Sequence, residues 1–215
     1  MKTSLFKQFV TASIAATAFA ASAAMAVPFS ITNATVTGGT GYGVDASESQ
    51  GSANLLDVLF PLNVVAPQNF NLMAVGNSYT FTIGNIVFRE SNNSGGIRNE
   101  ETDNLGVTAT FTFATPGAGN QVVTTMGAPV VGSVQDEAVD FRINWSPIIV
   151  GFGTSGQYQI DLADLAFDED FRTQVQTATI TLVALDQGTV PEPSSLALAG
   201  LGLLAAAGVT RRRTH

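Results

Sequence analysis

Carboxylates supply almost all the reactive chemistry between residues 27 and 190, which hold sixteen of the seventeen acidic residues. The single histidine is His215, the only lysines are Lys2 and Lys7, and there is no cysteine. A Ser-His-Asp or Cys-His nucleophile therefore lacks its base, a zinc site lacks nitrogen and sulfur ligands, and a Schiff base lacks its amine. Two carboxylates at a suitable separation hydrolyse a glycoside, one as general acid and one as nucleophile or base. Glu90, Glu100, Glu101 and Asp103 cluster closely enough to be candidates, but nothing marks one of them as buried, so solvated loop charges are the expectation. Trp145, the only tryptophan, reads as a core or strand-end residue, since sugar sites usually offer more than one aromatic platform. Asp161, Asp164, Asp168, Glu169 and Asp170 crowd ten residues, and Asp136, Glu137 and Asp140 form a second group. Hard oxygen ligands of this kind hold Ca²⁺ in exported proteins. Neither group has EF-hand spacing or its turning glycine, so an acidic solubilising face is the simpler reading and no cofactor is required. The run Gly38-Gly39-Thr40-Gly41-Tyr42-Gly43 lacks the Lys-Ser/Thr sequel of a phosphate-binding loop and reads as a turn.

The elements that must position these residues are strands. From Leu105 to Ala114, Val107, Ala109, Phe111 and Phe113 alternate with Thr108, Thr110 and Thr112, and successive strand side chains point to opposite faces. Tyr79, Phe81 and Ile83 repeat the pattern, as do Val139, Phe141 and Ile143; Tyr158, Ile160 and Leu162; and Ala178, Ile180, Leu182 and Ala184. Apolar runs at 29–36, 57–66, 86–88, 122–131 and 148–152 bring the expected count to eight to ten strands. Many short strands with one apolar face each pack as two sheets. The expected fold is all-β: an antiparallel β-sandwich, jelly-roll or immunoglobulin-like, with a closed barrel as the alternative. Threonine suits the wet faces, being β-branched without a purely apolar side chain. Residues 164–171 have room for one helical turn, residues 90–104 read as a loop, and no internal repeat is visible.

Within residues 27–190 four arginines (Arg89, Arg98, Arg142, Arg172) face sixteen acids, a net charge of −12. Such a surface repels nucleic acid and anionic lipid. The chain begins with Lys2 and Lys7, an apolar stretch from Phe9 to Ala21, and small residues ending Ala24-Met25-Ala26. Basic, apolar and small in that order is a secretory signal peptide, with Ala24 and Ala26 in the small positions read by signal peptidase and cleavage after Ala26. Residues 1–26 form this address and 27–189 the β domain. Export without cysteine leaves stability to packing and strand pairing.

Residues 190–215 are a second address. Val190-Pro191-Glu192-Pro193-Ser194-Ser195 is followed by an uncharged stretch to Thr210 and then Arg211-Arg212-Arg213. As a helix, 194–210 rises about 26 Å against a hydrocarbon core of about 30 Å, so it spans narrowly. Its five leucines, Leu196, Leu198, Leu201, Leu203 and Leu204, contribute about −1.5 to −3 kcal/mol of insertion free energy, a weak permanent anchor. The arginines hold the C-terminus on the cytoplasmic side, leaving residues 27–190 outside. The two prolines keep the motif extended, as a protease requires. This arrangement resembles the PEP-CTERM sorting signal. The resemblance implies Pro191, Glu192 and Pro193 as the recognition motif, Arg211, Arg212 and Arg213 as the topology stop, and exosortase as a transpeptidase that removes the helix. It further implies a Gram-negative host that makes exopolysaccharide, with transient residence in the cytoplasmic membrane before delivery to the cell surface or the extracellular space. The expected function is a non-catalytic surface or matrix protein associated with exopolysaccharide or biofilm. A carbohydrate- or Ca²⁺-binding adhesion module and a carboxylate glycosidase are the alternatives.

Overall fold

The computed structural model describes residues 26–44, 55–61, 65–90 and 95–186. Ala24, residues 187–215 and the segments between these ranges lie outside the described residues. Ala26 is exposed, and strand β1 starts at the next residue. The strands are β1 (Val27–Gly38), β2 (Tyr42–Gly43), β3 (Leu56–Leu59), β4 (Gln68–Leu72), β5 (Ser78–Phe88), β6 (Gly106–Thr115), β7 (Gly119–Pro129), β8 (Phe141–Ile143), β9 (Ile148–Phe152), β10 (Gly156–Leu162), β11 (Leu165–Phe167) and β12 (Thr173–Ala184). They form two six-stranded sheets, ordered β11-β8-β7-β6-β1-β4 and β2-β3-β5-β12-β10-β9. The single barrel is thereby set aside. All pairings are antiparallel except that of β2 with β3, which is parallel and departs from the expected uniformly antiparallel pattern.

Alternation builds the core. Val107, Ala109, Phe111 and Phe113 on β6 are buried, while Thr108, Thr110 and Thr112 are half-exposed. The aromatic side chains lock one sheet to the other. Phe29 of β1 and Phe113 of β6 meet Tyr158 of β10 at 5.3 and 5.1 Å, and Phe81 of β5 meets Phe111 at 6.4 Å. At the other end Phe88 of β5 stacks on Phe141 of β8 at 5.9 Å and approaches Phe167 of β11 at 5.8 Å. Each such ring contributes about 1.5–3 kcal/mol relative to exposure. On the wet faces threonines line up across strands: Thr37, Thr108 and Thr124 are successive partners on β1, β6 and β7, and Thr80 and Thr179 join hydroxyls at 2.8 Å across β5 and β12.

Three expectations need correction. Residues 79–83 and 86–88 belong to one strand, β5, because Thr82 pairs with Thr177 and Gly84 with Gln176, making Ile83 the extra residue of a bulge that resets the alternation. Residues 164–171 contain a strand and no helical turn: Leu165 and Phe167 are buried and pair with Ile143 and Phe141. Residues 90–104 include a 3₁₀ turn at Asn99–Glu101 and a bridge between Ile97 and Gly132.

Candidate functional site

Strand register divides the sandwich into two ends. Val27 pairs with Leu72, Ser30 with Thr115, Ser78 with Thr181, and Gln157 with both Gly151 and Ala184. One end therefore gathers the start of β1, the β4–β5 turn (73–77), the β6–β7 turn (116–118), the β9–β10 turn (153–155) and the exit of β12. Both Val27, next to the expected signal cleavage point, and Asp186, the last described residue, stand here. We call it the tail end. The far end holds the β5–β6 connection, the β7–β8 connection and the β11–β12 turn.

Charge follows that division. Residues 58–88, 104–135, 143–160 and 173–185 contain no charged side chain. Among the described residues, Asp186 is the only charged group at the tail end. Asp161 and Asp164 lie partway along the flank, and the rest are at the far end, from Arg89 through Asp103, from Asp136 through Arg142, and from Asp168 through Arg172, with Asp57 beside them.

The tail end is tied down by backbone and amide bonds. Oδ1 of Asp186 accepts the N–H groups of Thr154 and Ser155 at 2.9 and 3.1 Å. Neighbouring Gly153 has φ 57°, and a Cβ there would collide with the Asp186 carboxylate, so the turn needs glycine twice over. In the β4–β5 turn Oδ1 of Asn77 accepts from the N–H groups of Met73 and Ala74 at 3.2 and 3.0 Å. Gly76 donates to the carbonyl of Leu182 at 2.8 Å, fastening that turn to β12. Met73 and Val75 remain 54 % and 56 % exposed at its tip.

The far end disperses the candidate catalytic and metal ligands. Glu90 and Glu101 are fully buried, against the expectation of solvated loop charges. Glu90 accepts the N–H of Asp57 at 3.3 Å, and Glu101 accepts the N–H of Arg98 at 2.7 Å, closing the 3₁₀ turn. Buried carboxylates that accept backbone amides serve the loop's own polar groups. Glu100 and Asp103 are exposed on a cavity of about 470 Å³ with Thr40, Gly41, Leu55 and Asn104, and among the described residues no aromatic ring lines it. Asp164 accepts the N–H of Trp145 at 2.7 Å, Asp170 that of Phe171 at 2.7 Å, and Glu169 pairs with Arg172 at 3.1 Å. Asp140 is buried and accepts the N–H of Gln135 at 2.9 Å. Desolvation pushes its carboxyl above the ordinary value, opposed by that amide and reinforced by Asp136, Asp168 and Glu137. Asp170 is raised by desolvation, against the Phe171 amide and Arg89. Among the described residues no group of three or more acids is arranged to hold a metal ion.

Trp145 lies in the core, as its sequence context predicts, and its indole donates to Gln176 at 3.1 Å. The amide of Gln176 in turn donates to the carbonyls of Ala163 and Thr177. The partition of charge between the two ends escaped the sequence reading. Its signal was present in the uncharged runs, but assigning them to one end requires the strand register.

Pro191, Glu192, Pro193, Arg211, Arg212 and Arg213, with the expected helix 194–210, lie outside the described residues, as does Ala24. Residues 189–213 match the family model described as the PEP-CTERM protein-sorting motif. The motif implies an exosortase-processed protein sorted to the surface, with exosortase as its processing partner. Nothing matches among curated proteins or among solved structures.

Proposed function

We propose that the chain is an exported surface or matrix protein of a Gram-negative bacterium, associated with extracellular polysaccharide and without catalysis of its own. A signal peptidase removes residues 1–26. The 194–210 helix holds the chain in the cytoplasmic membrane, and exosortase then severs that helix beside Pro191-Glu192-Pro193. The observation that carries the reading is the sorting motif at 189–213, beginning only a few residues after the last strand closes at Ala184. The motif thus follows the last described strand closely in sequence, next to the expected membrane segment.

Support for a non-catalytic role comes from the acids. Glu90 and Glu101 are occupied with backbone amides, and among the described residues the cavity beside Glu100 and Asp103 offers no aromatic face to a sugar ring. Replacing Pro191, Glu192 and Pro193 together by alanine should leave the chain in the membrane fraction with residues 194–215 attached. Normal release of that variant would overturn the reading.

A further inference from the structure

We infer that the tail end of the sandwich, led by Met73 and Val75, is a membrane-facing surface that rests on the outer face of the lipid bilayer until the C-terminal helix is removed. The inference rests on the reading of 194–210 as a membrane segment, and reach is its first support. Seven residues lie between Asp186 and Ser194, eight residue steps, and extended chain spans at most about 3.6 Å per step, so the tether is no longer than about 29 Å. Strands β1 and β12 are twelve residues each, about 40 Å from one end of the sandwich to the other. A domain turned with its far end to the membrane would place Asp186 farther from the bilayer than the tether extends. Only orientations that present the tail end, or the flank beside it, satisfy the chain.

Charge selects between those two. Bacterial membranes carry anionic lipid, which repels the acidic far end. The flank carries Asp161 and Asp164, whereas among the described residues the tail end carries Asp186 alone, its Oδ1 already accepting two backbone amides. Apart from the exposed Asp186, the described turns at the tail end are uncharged: the β6–β7 turn, the β9–β10 turn, and the β4–β5 turn with Met73 and Val75 more than half exposed. These two apolar side chains are held outward by a turn fixed through Asn77 and Gly76. An amphipathic contact of this kind seats in the interfacial region without crossing it. The domain then stands upright with its acidic loops outward, and the Pro191-Glu192-Pro193 strip is confined to the thin layer between sandwich and lipid.

The absence of cysteine makes the test direct. The chain from Val27 to His215, carrying either Val75→Cys or Glu100→Cys labelled with an environment-sensitive fluorophore, is reconstituted into phosphatidylcholine–phosphatidylglycerol vesicles containing a headgroup-located nitroxide quencher. The label at 75 should be quenched at least threefold more than the label at 100. Equal quenching, or stronger quenching at 100, in chains that co-float with the vesicles overturns the orientation and leaves the anchor standing. Chains that do not co-float overturn both.

Discussion

Asp186 accepts the backbone N–H of Thr154 at 2.9 Å, so the last described residue before the sorting tail is bonded to the turn between β9 and β10. The same oxygen also takes the N–H of Ser155. The point at which the tail leaves the sandwich is thus fixed on a rigid element and is not an open strand end. Asp186→Ala leaves two turn amides to water and should lower unfolding free energy by about 0.5–1.5 kcal/mol in urea titration, the modest value reflecting an exposed site. Asp186→Asn, which keeps an acceptor oxygen, should lose less than half of that.

Tyr158 carries a second, opposite prediction. Its ring packs among Phe29, Phe113 and Phe152, and its buried hydroxyl has no hydrogen-bond partner among the described residues. Burial accordingly pushes the phenol above its ordinary value. Tyr158→Phe removes an unsatisfied polar atom and keeps the ring, so the variant should be more stable by about 1 kcal/mol. A measurable loss of stability would show that the hydroxyl is satisfied.

Gln176 should behave in the reverse sense. It links the Trp145 indole to the carbonyls of Ala163 and Thr177 inside the core. Gln176→Leu fills the space but strands an indole N–H and weakens two carbonyl contacts, with a cost of about 2–3 kcal/mol by calorimetry. Neutral behaviour would mean that the network is dispensable.

Much of this architecture was legible in the sequence. Strands of seven or more residues with strict alternation, β6 and β10 above all, are visible because period two is hard to produce otherwise. The short strands β2 and β11 were not, since two or three residues cannot display a period; β2 is defined by its pairing with Leu56 and Asp57 of β3, and β11 by its pairing with Phe141 and Ile143 of β8. The bulge at Ile83 shifts the alternation of β5 midway, so no single period marks the strand. Glu90 and Glu101 were misplaced because composition reports loop polarity, while burial depends on which backbone amides the loop must satisfy. The sorting motif was readable in full, being a linear signal that requires no tertiary context.

Acid and salt should both stabilise the far end. The Asp140 carboxyl has a higher pKa folded than its ordinary 3.8, so the native state binds that proton more tightly than the unfolded chain. The stability due to this group is fully present below the ordinary value and is lost as pH rises through the raised one. Asp140→Asn, which can still accept from Gln135, should therefore be more stable than wild type at pH 7, with the difference closing as pH falls toward 4. Wild-type melting temperature should also rise with added NaCl at pH 7, because neighbouring Asp136, Glu137 and Asp168 repel through screened water. A difference between variant and wild type that does not change with pH would contradict the assignment.

The intact mass of the protein recovered from the cell surface or medium tests the central claim most directly. The account predicts a chain that starts at Val27, retains β12 and Asp186, and ends before Ser194. A surface protein whose mass still includes residues 194–215, or a full-length chain confined to the cytosol with Met1 in place, would contradict it.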